Sequence, residues 1–223
     1  AQISDVHIGS RQPGFLNRVV SKVNAEAPDH ILITGDLIDF RGISESDLSS
    51  LGTLQAPATF IIGNHERYVD LEDICQRLRN LNIRVLRNDS VMVGEGLQII
   101  GIDDDDARNQ VAKHIPAIKP APERYRILLY HRPDGAEDAA AWGADLMLCG
   151  HTHNGQILPF NLLVRRIFPR ILGHYQIDNM ILYVSPGTGT WGPVLRLGSR
   201  CEISMICLQR SITSTRQGAG RGQ

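Results

Sequence analysis

The sequence lacks the cysteine patterns and the long apolar runs that mark several classes of protein. Its four cysteines form no C-x-x-C pair and no regular framework, which argues against structural zinc and against a disulfide scaffold. No apolar run approaches the roughly 18 residues of a membrane span. We therefore expect a globular protein from a reducing, cytoplasmic compartment.

Lysine is scarce, and net charge is almost absent. The formal net charge is −1, so the chain exerts no long-range attraction on nucleic acid, and we predict no nucleic-acid partner. Only three of the 23 basic residues are lysines. Arginine forks suit bidentate contacts with phosphate, but a compositional bias of the source genome explains the same excess.

The length of 223 residues fits one or two domains, and we predict one. We place it at residues 1–210 and expect the polar, glycine-rich residues 211–223 to be disordered. Asp5 stands almost at the amino terminus, behind four residues that should form a central strand. We therefore expect a domain cut from a longer protein, whose missing part carries a signal or membrane anchor and which sits peripherally at the cytoplasmic membrane.

Apolar periodicity predicts a layered α/β domain with its helices outside. The first part alternates strands over residues 31–33 and 58–62 with helices over 15–23, around 48–51, and over 71–81. Strands dominate from residue 83: a hairpin over 91–102, strands over 125–130 and 145–148, a hairpin turning at Asp178-Asn179, and a last strand over 201–208. One short helix, over 136–142, interrupts them.

Polar motifs follow the ends of five predicted strands, at the edge of an α/β sheet where ligands bind. The motifs are Asp5-x-His7, Gly35-Asp36, Gly63-Asn64-His65-Glu66, His131 and Gly150-His151-Thr152-His153. A lone histidine is most often structural, but several imidazoles and carboxylates brought together unpaired are costly to bury. Metal ions remove that cost. Nitrogen and oxygen ligands without thiolate suit Mn²⁺, Fe or Zn²⁺, in two nearby sites that share a carboxylate. The four acids at residues 103–106 fit a solvated loop better than a metal site.

In this order, the five motifs resemble those of the calcineurin-like metallophosphoesterases. The resemblance implies a four-layer α/β/β/α sandwich with a dinuclear centre of two divalent metal ions, Mn²⁺ first and Fe, Zn²⁺ or Mg²⁺ as alternatives. One metal would be held by Asp5, His7, Asp36 and His153, and the second by Asp36, Asn64, His131 and His151, with Asp36 bridging the two.

The resemblance also implies roles for residues that do not bind metal. His65 would be the general acid that protonates the leaving oxygen. Asp39 would steady His65, although a cap on a helix or turn is an equal alternative for Asp39. Arg41, Arg132 and Asn154 are the candidate substrate-binding residues. Asn154 stands where this family suggests glycine, which adds a side chain beside the metals.

The later part of the chain narrows the resemblance. Residues 151–156, 183–190 and 196–203 look like the bacterial YkuE/YaeI/LpxG-like phosphodiesterase branch. That branch implies a phosphodiester or pyrophosphate substrate, first a lipid-linked one such as UDP-2,3-diacylglucosamine. The alternatives are a soluble diester, including cyclic nucleotides, and a non-catalytic phosphoesterase-like binding subunit. A protein phosphatase is disfavoured because Phe40 interrupts the motif Gly-Asp-x-x-Asp-Arg-Gly.

Residues 157–172 are densely apolar and contain three arginines. Apolar side chains beside cations suit a segment that lies in a lipid headgroup layer or that grips an acylated substrate. The alternative is a cap folded over the sheet edge, with its leucines buried.

Overall fold

The computed structural model describes residues 1–11, 14–105 and 107–209. The predicted disordered tail and the last acid of the 103–106 run lie outside these described residues. The ten strands of the described chain are β1 (Gln2–Ile3), β2 (Ile31–Ile33), β3 (Ala58–Phe60), β4 (Ile83–Val85), β5 (Asp89–Val93), β6 (Leu97–Gly101), β7 (Tyr125–Leu129), β8 (Leu146–Cys149), β9 (Gly173–Ile177) and β10 (Met180–Val184). Its α-helices are α1 (Phe15–Ala25), α2 (Glu45–Leu48), α3 (Leu71–Asn80), α4 (Gln110–His114), α5 (Ala136–Trp142) and α6 (Phe160–Ile167).

The first sheet is parallel, in the order β1-β2-β3-β4. Parallel strands covered on both faces are apolar throughout, and β2 and β3 are fully buried. Leu16, Val20 and Val23 of α1 and Ile74 and Leu78 of α3 pack on the outer face of this sheet. The periodicity predicted both helices because their apolar residues recur along one face.

The second sheet has the order β5-β6-β7-β8-β10-β9, with antiparallel hairpins at both edges and parallel strands between them. Both hairpins occur where the sequence predicts them. Val111 of α4 and Ala136 and Ala139 of α5 cover the outer face of this sheet.

The two sheets face one another through a shared apolar layer. Leu32 and Ile61 from the first sheet pack in one cluster with Ile127, Leu129 and Leu148 from the second. Helices therefore lie outside both sheets, and the predicted four-layer α/β/β/α sandwich is confirmed. No helix among the described residues is long and apolar enough to cross a bilayer.

Two sequence predictions about strands are wrong. β1 is an edge strand of the first sheet, not a central one. The predicted strand over residues 201–208 does not form, because the two-residue β1 offers little edge to pair with. Only Ser204 pairs there, exchanging backbone hydrogen bonds with Gln2, while Met205 and Leu208 are exposed.

The predicted solvated loop at residues 103–106 is also wrong for its first two members. Asp103 and Asp104 are buried. Asp103 accepts a hydrogen bond from Arg87 at 2.9 Å, and Asp104 accepts one from Arg132 at 2.8 Å. Paired arginines remove the cost of burying these carboxylates.

Candidate metal centre

The carboxyl ends of β1, β2, β3, β7 and β8 meet at one edge of the sandwich, and every predicted metal ligand follows one of them. The backbone turns sharply there. Five of the ligands adopt positive φ angles between 49° and 70°, a region that Asp, Asn and His enter more readily than other side chains. These five are Asp5, His7, Asp36, His151 and His153.

A first group of ligand atoms comes from Asp5, His7 and His153, which are all buried. Nε2 of His7 lies 3.0 Å from Nε2 of His153, and Oδ1 of Asp5 lies 3.3 Å from the same His153 nitrogen. Three donor atoms therefore converge on one point.

A second group comes from Asp36, His131 and His151. Nε2 of His131 lies 3.0 Å from Oδ2 of Asp36 and 3.2 Å from Nδ1 of His151. The two groups adjoin, since Oδ1 of Asp5 is 3.9 Å from Nε2 of His131. Asp36 also forms a third group with His7 and His65. It thus stands between the first and second groups, where a bridging ligand would have to be.

Asn64 brings its amide to the same place. Its Oδ1 is buried and finds no hydrogen-bond donor within the described residues. A buried carbonyl oxygen without a donor is costly, and a divalent cation would satisfy it.

Hydrogen bonds on the far side of two rings set their tautomers. Nδ1 of His131 lies 2.8 Å from the carbonyl oxygen of Thr34, and Nδ1 of His7 contacts Oδ1 of Asp39. Each Nδ1 must carry a proton to donate, which leaves the lone pair of Nε2 free toward the centre. Metal-binding histidines are oriented in this way, so the residues present fit two cations.

Asp39 also contacts His65. Oδ1 of Asp39 lies 2.8 Å from Nδ1 of His65, whose Nε2 is 3.9 Å from Oδ2 of Asp36. Ser10 donates its hydroxyl hydrogen to the other Asp39 oxygen. The carboxylate of Asp39 therefore contacts two imidazoles and a hydroxyl, and not the backbone of a following turn.

The centre has the electrostatics of a cation site. Burial opposes charge on Asp5, but His153, His131 and His7 surround it and hold its pKa well below the usual range. Burial would lower the pKa of His131, yet the carboxylate of Asp36 and that of Asp5 raise it to about 10. The negative field that favours a proton on this ring also favours a divalent cation.

The pKa values of His151 and His153 are lowered, in contrast to that of His131. Burial lowers the pKa of His151 to about 3, and the neighbouring His131 adds to the effect. The pKa of His153 is lowered by burial, with His7 and Arg196 adding to it against the pull of Asp5. Neutral imidazole is the form that binds metal.

The sequence model of the calcineurin-like phosphoesterase family matches residues 1–155. This chain belongs to that family. The family works with a dinuclear divalent metal centre, and the described residues of this chain supply candidate ligand groups for one.

Curated relatives agree with this assignment. An uncharacterized metallophosphoesterase of Campylobacter jejuni is 33% identical over 217 residues, which cover 93% of this chain and 58% of the relative. A transmembrane protein with a metallophosphoesterase domain from Bos taurus is 33% identical, over 93% of this chain and 52% of the relative. An uncharacterized metallophosphoesterase of Aquifex aeolicus is 31% identical, over 92% of this chain and 83% of the relative. The chain thus spans little more than half the length of the first two relatives.

A solved structure shares the fold. A Staphylococcus aureus protein that bears the name of a 5′-nucleotidase superposes with a TM-score of 0.53 at 15% identity. The match covers 93% of this chain and 55% of that one. At this identity the likeness establishes the sandwich alone.

Glu66 of the metallophosphoesterase has a role that the sequence analysis missed. Its buried carboxylate accepts hydrogen bonds from the backbone N–H groups of Gly63, Asp36, Leu37 and Ile38, at 2.7 to 3.2 Å. It ties the loop that carries Asp36 to the loop that carries Asn64. Burial and the charge of Asp36 raise the pKa of Glu66 to about 7. The sequence signal for this role of Glu66 was its position directly after His65 in the motif Gly63-Asn64-His65-Glu66.

Arg196 was also missed as a member of the site. Its guanidinium donates to the carbonyl oxygens of Gly189 at 2.6 Å and His153 at 3.2 Å, and lies 3.2 Å from Nδ1 of His153. It joins the loop of His153 to the loop after β10. The only sequence signal was its place in the segment 196–203.

The three predicted substrate-binding residues take separate positions. Arg41 is exposed and donates to the carbonyl oxygen of Tyr68 at 3.1 Å. Arg132 follows His131 but is paired with Asp104. Asn154 follows His153, with a buried Oδ1 that has no partner among the described residues. The structure does not bring these three together.

An apolar cavity of about 560 Å³ opens beside the metal ligands. Its lining divides by chemistry into a metal wall and an apolar wall. The metal wall is Asp36, Asn64, His65, His151 and His153, and the apolar wall is Tyr68, Ile157, Phe160, Val164, Phe168, Trp191 and Pro193. Phe168 packs edge-on against the ring of His151, with centroids 5.1 Å apart. The predicted metal ligands therefore border a cavity whose remaining lining is apolar enough to hold a hydrocarbon chain.

Proposed function

We propose that this metallophosphoesterase hydrolyses a phosphodiester or pyrophosphate bond in a lipid-linked substrate such as UDP-2,3-diacylglucosamine, as in the YkuE/YaeI/LpxG-like branch. The observation that carries the proposal is the cavity. Phe160, Val164 and Phe168 line the same cavity as the metal ligands. An apolar wall there stabilises the acyl part of a substrate while the phosphoryl group reaches the ligands.

The residues that would hold the cations are Asp5, His7, Asp36, Asn64, His131, His151 and His153. We propose Mn²⁺ because the donors are nitrogen and oxygen without thiolate. Two such cations supply Lewis-acid stabilisation of phosphoryl oxygens and lower the pKa of water.

In this proposal His65 delivers the proton that the leaving oxygen needs. Its Nδ1 faces Asp39 at 2.8 Å, and its Nε2 faces the cavity side near Asp36. A carboxylate behind Nδ1 orients the ring and stabilises its charged form, so that Nε2 carries the mobile proton. Asp39 acts through His65 and His7 and so positions both rings.

Contact with the cytoplasmic membrane through residues 157–172 is part of the proposal. The alternative, in which the leucines of this segment are buried, is wrong for Leu162 and Leu163, which are 62% and 51% exposed. The bovine relative is by name a transmembrane protein, which supports work at a membrane.

The test is mass spectrometry of products after incubating Mn²⁺-loaded protein with UDP-2,3-diacylglucosamine, with an aryl phosphodiester in a parallel tube. We expect UMP and the acylated sugar phosphate. The Asp36→Asn variant serves as the control for contaminating hydrolases.

The two tubes separate the alternatives. Cleavage of the aryl diester alone would reject the lipid-linked substrate and favour a soluble diester such as a cyclic nucleotide. Cleavage of neither, with two metals bound, would favour a non-catalytic binding subunit.

A further inference from the structure

Exposed apolar side chains are concentrated in two segments, residues 157–172 and 191–197. Of the 16 large hydrophobic side chains exposed in the described chain, ten belong to these segments. They are Leu158, Phe160, Leu162, Leu163, Ile167, Leu172, Trp191, Val194, Leu195 and Leu197. A cluster of this size on a protein surface marks a site of interaction.

The two segments form one surface because Gln156 and a backbone pair join them. The amide of Leu158 donates to the carbonyl of Leu197 at 2.9 Å. The buried Gln156 side chain accepts from the amide of Trp191 at 2.9 Å and donates to the carbonyls of Trp191 and Pro193. We call the exposed residues of both segments the apolar face.

The two segments themselves carry basic side chains and no acidic ones. Asp178 is the only acidic residue between positions 146 and 201, although the chain holds 24 acids. Arg165 and Arg166 are exposed on α6, within the first segment. Arg170 of the first segment pairs with Glu137 of α5 at 2.6 Å. The exposed Arg165 and Arg166 make the apolar face complementary to an anionic lipid surface.

The cavity opens within this face. Phe160 and Val164 from the first segment and Trp191 and Pro193 from the second line it together with His151 and His153. A bilayer against the face would therefore lie at the mouth of the cavity that holds the metal ligands.

We propose that α6 and the loop 191–197 together form a docking surface for an anionic bilayer, through which a lipid substrate enters the cavity directly from the membrane. The inference rests on the proposed lipid-linked function. Trp191 has the amphipathic ring that prefers the membrane interface. A second copy of the chain fits less well, because a symmetric dimer would bring the exposed arginines of one face close to those of its copy.

Trp191 is a built-in probe of docking. The chain has two tryptophans, and the other, Trp142, is part-buried with its indole N–H bonded to the carbonyl of Ile118 at 3.0 Å. In a Trp142→Phe variant all tryptophan emission comes from Trp191. We expect a blue shift on adding vesicles of phosphatidylcholine with 30% phosphatidylglycerol, and a weaker response to phosphatidylcholine alone.

Sedimentation with the same vesicles gives affinities. Replacing Arg165 and Arg166 by Gln should weaken binding by roughly 30-fold at low salt, since each basic residue near an anionic surface contributes a factor of about five. A Leu162→Asp/Leu195→Asp variant should lose vesicle binding. Neither leucine lines the cavity, so hydrolysis of the soluble aryl diester should stay within about twofold of the parent, which also shows that the variant is folded.

The matched control is Met92→Asp. Met92 is 48% exposed on β5, outside the apolar face, and its replacement should leave vesicle binding unchanged. Equal loss in the control and in the leucine variant would overturn the docking surface, as would unchanged Trp191 emission with vesicles. A blue shift without vesicles, accompanied by a dimer mass, would assign the face to a second copy. Vesicle binding without cleavage of any lipid substrate would reject the proposed function and retain the surface.

Discussion

The two walls of the cavity differ in composition and in origin. The metal wall is polar and built from short motifs at strand ends, and Asp36, His151 and His153 in it have left-handed backbone conformations. The apolar wall comes mainly from α6, the residues that flank it and the loop 191–197, with Tyr68 added from another segment, and Phe160 and Trp191 in it are half exposed. The metal ligands and the apolar lining are therefore encoded in separate stretches of the sequence. The first depends on donor geometry and the second on surface composition.

Removing the carboxylate of Asp36, which both metal sites would share, should have the largest effect. Asp36→Asn should abolish binding of both metals and lower kcat on the order of 10⁴-fold, because the metals contribute several kcal/mol of charge stabilisation. Metal analysis of the purified variant checks this. Selective loss of one metal would show that Asp36 does not bridge.

His65→Ala should lower kcat by about 10²- to 10³-fold while two metals stay bound, because the side chain transfers a proton and does not bind metal. The defect should shrink for an aryl diester whose phenolate leaves without protonation. If the variant loses its metals, the assignment of His65 as the acid fails.

Asp39→Asn should cost about 10- to 100-fold in activity or metal affinity, because it alters the partner of both His7 and His65. Titration with Mn²⁺ and kinetics on one preparation separate the two effects. Asp89→Asn, at an exposed strand residue, is the control. A variant that matches its parent in both assays would leave Asp39 without a positioning role.

Arg196→Gln tests the connection between the loop of His153 and the loop after β10. The change removes the guanidinium hydrogen bonds to the carbonyls of His153 and Gly189, so the free energy of unfolding should fall by about 1–3 kcal/mol. Urea denaturation measures it. The exposed Arg200→Gln should cost less than about 0.5 kcal/mol, and equal costs for the two variants would contradict the role of Arg196 as a clamp.

The metal wall could be predicted from sequence because its residues sit where strands end. The alternation of strands and helices also predicted the layers, since buried parallel strands and amphipathic helices have distinct periods. Glu66 and Arg196 were missed because they act on backbone groups that only the fold brings near them. The strand predicted over residues 201–208 does not form, because strand pairing depends on the length of the neighbouring strand. The sequence of the segment carries no information about that length.

The sequence predicts only part of the apolar wall. The apolar composition of residues 157–172 indicates a binding segment, but nothing in the sequence joins it to residues 191–197. That junction depends on the buried side chain of Gln156, a contact across 35 positions. An apolar run also predicts burial by default, and only the structure leaves Leu162 and Leu195 exposed.

The most direct test of the account is a chain-length series. One phosphodiester headgroup would carry acyl chains of increasing length below the critical micelle concentration, and kcat/KM would be measured for the parent and for Phe160→Asp. We predict that kcat/KM rises with chain length in the parent and stays flat in the variant, with the shortest substrate cleaved equally by both. A parent that ignores chain length would contradict the account, because the metal centre would then work without the apolar wall.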